Sequence, residues 1–183
     1  MIEIFNIIFQ LLIFILLFSL NYRTISNNLL KNYSFNLYEN FSFNIILQLN
    51  IILFLSFLNI TLDTIIYLYL IINSFFLILN LYKLRLSVLK NNIVNYNIIF
   101  LLFVCVIIFF NISYNLTLSW DAEKFWFMKV LNFYNGNSVE NFVNISRSHY
   151  PFFGDLIWAF FWKFSLISDE YAGRLFFGFF YVV

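Results

Sequence analysis

The chain has 183 residues and a net charge of +1; 63% of it is hydrophobic, 10% is charged, and the mean hydropathy is +0.87. An ordinary globular domain is roughly half apolar and a quarter charged, and a soluble chain of this size buries only about 70% of its unfolded surface. The excess apolar surface is therefore expected to face lipid. The 28 Phe and 12 Tyr exclude intrinsic disorder. Cys105, the only cysteine, excludes a disulfide scaffold and reads as a buried small hydrophobe. The near-neutral charge leaves no electrostatic footprint for nucleic acid. With one His and one Cys, no zinc site of the usual ligands is expected. Asn-x-Ser/Thr triplets at Asn32, Asn40, Asn59, Asn111, Asn115 and Asn144 arise from the Asn-rich composition and carry no weight.

A helix that crosses ~30 Å of hydrocarbon needs about 20 mostly apolar residues. Four stretches qualify in chain order: Ile4–Leu20, Phe43–Ile60, Leu62–Leu81 and Ile98–Ser113. A fifth runs from Pro151 to about Ile167, and a sixth opens near Asp169 and meets the end of the chain at Val183. Ile4–Leu20 is preceded by Glu3 rather than a basic residue, and no Ala-x-Ala comes after it, so it reads as an uncleaved span and not a secretory signal. The expected fold is all-α: a polytopic transmembrane helix bundle with an amphipathic interfacial helix in its first large outer loop. Four transmembrane helices occupy 1–113, the extracytoplasmic loop 114–150, and two further spans 151–183, the last truncated. The chain is expected to be the front of a longer reading frame.

Lysine and arginine placement sets the orientation. Arg23 and Lys31 come after the first span, Lys83, Arg85 and Lys90 after the third, and Lys163 and Arg174 flank the joint between the fifth and sixth. If these are cytoplasmic, seven of ten basic residues lie inside and only Lys124, Lys129 and Arg147 outside. The loop 114–150 is then extracytoplasmic.

Chemistry is expected in the second part of the chain. Residues 120–183 hold eleven of the nineteen charged side chains, all four Gly, all four Trp, and the only Pro and His. Ser119 reads as a helix N-cap, with Asp121 and Glu123 placed after it where the helix dipole favours negative charge. The helix runs through Tyr134 to Gly136, a C′ residue. Its aromatics, Trp120, Phe125, Trp126, Phe127, Phe133 and Tyr134, are interrupted by Lys124 and Lys129, a pattern that suits the membrane interface. Two readings of Asp121 and Glu123 stand side by side: helix capping, or a carboxylate at the lipid–water boundary acting as general base. Being two apart, they do not share a helix face.

Arg147 and His149 close the loop before Pro151, which fits the first position of a new helix. They read either as phosphate-binding groups or as interfacial anchors. Asp155 lies one turn into the fifth span, where an ionisable group is costly and should face protein or water. Arg147 or Lys124 is its expected partner. Asp169, Glu170 and Arg174 read as capping and positive-inside residues.

The second part of the chain, about residues 115–180, resembles the opening of integral-membrane glycosyltransferases of the GT-C type, the protein mannosyltransferase and aminoarabinose transferase relatives. The resemblance is carried by a span running into Trp120-Asp121-Ala122, then Trp126 and Lys129, an interfacial helix, Tyr150-Pro151 at the next span, and Tyr171-Ala172-Gly173-Arg174-Leu175 after it. It implies a sugar transfer from a polyprenyl-phosphate donor to an extracytoplasmic acceptor, in a bacterial inner membrane. It also implies an essential acidic residue at Asp121 with Glu123 as companion. Lys124, Arg147 and His149 are the expected cluster around the departing phosphate. No cofactor is expected, and a divalent metal requirement, the sugar, the acceptor and the oligomeric state stay open. The alternative is a non-catalytic membrane subunit or a transporter component. The first four spans contain no Gly or Pro, which counts against transport through broken helices.

Overall fold

The computed structural model describes residues 2–20, 37–83, 96–144 and 148–182. Among the described residues every regular element is helical and none is a strand. Four long helices come first: α1 (Ile2–Leu20), α2 (Leu37–Ser56), α3 (Leu62–Lys83) and α4 (Tyr96–Tyr114). A π-helical turn (Ala122–Trp126) leads into α5 (Phe127–Tyr134), a three-ten turn (Val139–Asn144), α6 (Phe153–Phe164) and α7 (Tyr171–Val182). The long helices fall on the first four predicted stretches. Among the described residues one of them, over Leu62–Leu79 in α3, is long and apolar enough to cross a membrane. Ile4–Phe18, Phe41–Ser56 and Ile99–Tyr114 form shorter apolar helical stretches.

α2 and α3 make a tight hairpin. Asn59 takes the left-handed backbone conformation the reversal needs, with φ of 54°, and Thr61 Oγ1 accepts the Thr64 N–H at 3.4 Å to cap α3. The interior of the first three helices carries polar groups. Asn44 Nδ2 donates to the Phe18 carbonyl at 2.7 Å and Gln48 Nε2 to the Leu17 carbonyl at 2.8 Å. The Tyr69 hydroxyl donates to Gln48 Oε1, and Asn73 Nδ2 to the Tyr69 carbonyl. Phe5, Phe54, Tyr67, Ile71, Phe75, Phe100 and Phe103 instead point outward from the same bundle.

A phenylalanine core joins the front of the chain to its back. Phe14 and Phe18 of α1 meet Phe161 of α6 and Phe176 and Phe179 of α7, and Phe161 and Phe176 stack at 4.1 Å. α6 and α7 can approach closely because Gly173 has no side chain: a Cβ there would lie 2.2 Å from the Trp158 carbonyl oxygen. The Trp158 indole N–H donates to the Glu170 carbonyl and the Trp162 N–H to the Ser168 carbonyl, which closes the joint between the two helices.

This geometry corrects the side assigned to Lys163 and Arg174. Phe152, just ahead of α6, packs on Phe57, and Lys163 near its end pairs with Asp63 at 2.8 Å. Both ends of α6 therefore meet the α2–α3 hairpin. Its 12 residues span about 18 Å, short of the ~30 Å of a bilayer core. Arg174 Nη1 donates to the Asn115 carbonyl at the exit of α4, and Gly178 lies against Ile108 and Ile112. α7 thus runs back antiparallel to α4 from the end that carries the 115–150 segment, here termed the loop end. Charge counting misses this because it takes Pro151–Ile167 for a crossing. Among the described residues, Lys124, Lys129, Lys163 and Arg174 therefore share the loop end.

In a chain with Cys105 replaced by Ala, Leu166→Cys should react with an impermeant thiol reagent from the same side as Asn135→Cys; labelling from opposite sides would show that α6 crosses. Gly173→Ala should lower thermal stability by about 1–3 kcal/mol through overpacking. Gly154→Ala, which meets open space, should cost nothing measurable in the same unfolding scan.

Candidate functional site

The segment leaving α4 turns into helix where the sequence places the cap. Ser119 Oγ accepts the Ala122 N–H at 3.4 Å, and the Ser119 carbonyl accepts the Glu123 N–H at 2.9 Å. Asp121 has helical backbone angles (φ −64°, ψ −42°) and makes no side-chain cap bond. Asp121 is exposed inside the first turn, so the cap is Ser119 alone. A wide turn comes next, in which the Phe127 N–H reaches back to the Ala122 carbonyl. Such π-turns insert one residue and rotate the helix beyond them. Trp120 sits edge-on to Phe125 at 5.4 Å. Glu123 and Lys124 form a 3.5 Å pair with more than half of each side chain exposed, a type worth at most about 1 kcal/mol.

α5 ends as its sequence requires. The Gly136 N–H donates to the Phe133 carbonyl and the Asn137 N–H to the Asn132 carbonyl, the Schellman pair of bonds. Gly136 takes the φ of +88° that this stop demands. The face of α5 turned inward carries Lys129, Val130 and Phe133.

Lys129 is fully buried. Its Nζ donates to the Tyr150 carbonyl at 3.0 Å and lies over the rings of Trp126 at 5.4 Å and Tyr150 at 5.8 Å. Burial pulls its pKa below the usual lysine range, and the Asp155 charge partly restores it. Asp155, at the start of α6, is 5% exposed, and its Oδ2 has no hydrogen-bond partner among the described residues. Burial pushes the Asp155 carboxyl up to about 7, with Lys129 opposing the rise. Of its two expected partners, Arg147 lies outside the described residues; the charge that acts on Asp155 is that of Lys129. Lys124 pairs with Glu123 instead. The signal for Lys129 is present in the sequence as a lysine four residues before Phe133, on the same helix face.

His149 is exposed, its ring edge-on to Tyr150 at 4.8 Å, and Tyr150 in turn lies 5.8 Å from Trp126. The structure therefore gathers Asp121, Glu123 and Lys124 on one exposed turn and ties His149 to that turn through two aromatic rings. Arg147 lies outside the described residues. Glu170 and Arg174 form a second, half-buried pair at 2.6 Å that holds the Asn115 carbonyl just ahead of the cap. Burial raises the Glu170 pKa, opposed by the charge and hydrogen bond of Arg174. Among the described residues no three His, Cys, Asp or Glu side chains gather into a cluster.

Comparison of the chain with protein-family models, curated proteins and solved structures gave no match.

The Asp155 environment gives a pH signature. Its pKa in the fold, about 7, lies above the ordinary ~3.9 of an unfolded aspartate. The contribution is full below about pH 4 and is lost as pH rises towards 7. Thermal stability should therefore carry a falling component across that window, and Asp155→Asn should flatten it; an unchanged slope in the variant would assign the titration elsewhere.

Proposed function

We propose that the chain is a membrane-embedded glycosyltransferase of the GT-C type, or the front portion of one, transferring a sugar from a polyprenyl-phosphate donor to an extracytoplasmic acceptor. The observation that carries this reading is the exposed acidic turn at Asp121 and Glu123. It stands at the rim of an apolar helix bundle, flanked by Trp120 and Trp126 and tied to His149. The membrane setting is supported by the inverted polarity of the front helices. Gln10, Asn44, Gln48 and Asn73 are buried while large aromatics face out, the distribution expected when the surroundings are as apolar as the side chains. In this reading the long helices form a polytopic bundle, α5 lies at the interface, and the loop end faces outward. The outward assignment and the bacterial inner membrane rest on the resemblance of residues 115–180.

Asp121 acts as general base in this mechanism. It takes the proton from an acceptor hydroxyl or amide as that atom attacks the anomeric carbon. The bond from the anomeric carbon to the phosphate oxygen breaks, and the polyprenyl phosphate leaves with the electron pair. Lys124, His149 and Arg147 would stabilise the charge that grows on the leaving phosphate. Glu123 is the companion carboxylate.

The second reading, a non-catalytic membrane subunit or transporter component, is favoured by one feature: Asp121 is exposed and held by no cap bond, whereas a general base is normally oriented. The two readings separate on one variant. Asp121→Asn, reconstituted in liposomes with a polyprenyl-phosphate sugar, should lose transfer by about 10²–10⁴-fold while inserting normally. Full transfer by the Asn variant would remove Asp121 from the mechanism and favour the subunit.

A further inference from the structure

We infer that Lys129 is a positioning residue, with Asp155 as its counter-charge, that fixes the His149–Tyr150 segment against the acidic π-turn. The Tyr150 carbonyl and two aromatic rings converge on the Lys129 ammonium. Its bond to the Tyr150 carbonyl fixes the backbone one residue after His149. Its place over both the Trp126 and Tyr150 rings fixes the angle at which those rings meet. Asp155 supplies negative charge from the neighbouring helix, at a site where Lys129 is fully buried and Asp155 nearly so.

The consequence is geometric. The described residues of the proposed site belong to two segments, Asp121–Lys124 and Ser148–Tyr150, with the whole of α5 and the three-ten turn between them in sequence. Trp126 closes one and Tyr150 the other, and Lys129 lies under both. A buried ammonium is costly unless it is paired and hydrogen-bonded. Separating the two segments would strip it of a carbonyl and a ring together. Lys163 offers the natural control. It also donates to a tyrosine carbonyl, that of Tyr134 at 2.9 Å, and lies over that ring at 5.4 Å, but its carboxylate is Asp63 of the α2–α3 hairpin.

His149, the chain's one histidine, gives a probe that needs no activity. The full chain, labelled with 15N-histidine and held in lipid nanodiscs, should show one imidazole spin system. Lys129→Met should shift its resonances, whereas Lys163→Met should leave them in place. Should Lys129→Met fail to fold, Asp155→Asn keeps the lysine and should move the same resonances in the same direction by less. A His149 signal unmoved by Lys129→Met, or by Asp155→Asn where only that variant folds, would overturn the inference. So would one moved equally by Lys163→Met, which would mark general loosening. The catalytic consequence rests on the proposed function. If that function holds, Lys129→Met lowers kcat by about a hundredfold with KM little changed. Shifted resonances in a chain without transfer activity would refute the enzyme and leave the positioning role standing.

Discussion

Taking the Lys129 ammonium out of water constrains the loop end more than any other single interaction. Desolvating such a group costs several kcal/mol unless a carbonyl, a carboxylate or an aromatic face replaces the lost water. The chain supplies the first and the last: the Tyr150 carbonyl from the segment before α6, and the Trp126 and Tyr150 rings from either side. α5 cannot roll without exposing Phe133 and Val130, and it cannot slide without stripping the ammonium of its acceptor. The acidic turn is therefore built on a fixed base although its own side chains are exposed.

The same logic recurs at the other end of α6. Lys163, in the last turn of α6, binds Asp63 and the Tyr134 carbonyl, and Tyr134 stacks on Trp162 at 3.9 Å. α5 and α6 are thus riveted at both ends by a lysine that binds a tyrosine carbonyl. Between the rivets the contact is aromatic, with Phe127 against Trp158 and Phe133 against Phe152. The front helices supply the bed for this unit. Tyr69 meets Phe160 at 4.9 Å, and Phe14 and Phe18 reach the α6–α7 seam. A scaffold rich in phenylalanine and a polar loop end are accordingly parts of one packing problem.

Local signals are legible where chemistry is local. The Ser119 cap and the Gly136 stop each depend on a few neighbouring residues, and both appear in the structure. The four long apolar runs are helices because nothing within them breaks one. What the sequence hides is long-range. An apolar run from Pro151 to Ile167 reads as a crossing, yet the helix stops at Phe164, and Lys163 in its last turn pairs with Asp63, a hundred residues away. No periodicity announces such a partner. The π-turn is equally invisible, since its residues, Ala122–Trp126, favour an ordinary helix. Of the proposed site residues, Asp121, Glu123 and Lys124 are easy to group because they are adjacent. Joining His149 to them requires the Tyr150–Trp126 contact, which no spacing rule supplies.

The π-turn sets which face of α5 is buried. An extra residue in a helical turn advances the later side chains by roughly 100° relative to an uninterrupted helix, the angle of one α-helical residue. Lys129, Val130 and Phe133 face inward downstream of that insertion. Without it, a helix started by the same Ser119 cap would turn a different face to α6 and carry Lys129 away from Asp155. The wide turn therefore reconciles two demands that a regular helix would set against each other: an N-terminal turn that presents Asp121 and Glu123 to the surface, and a C-terminal turn that buries a lysine.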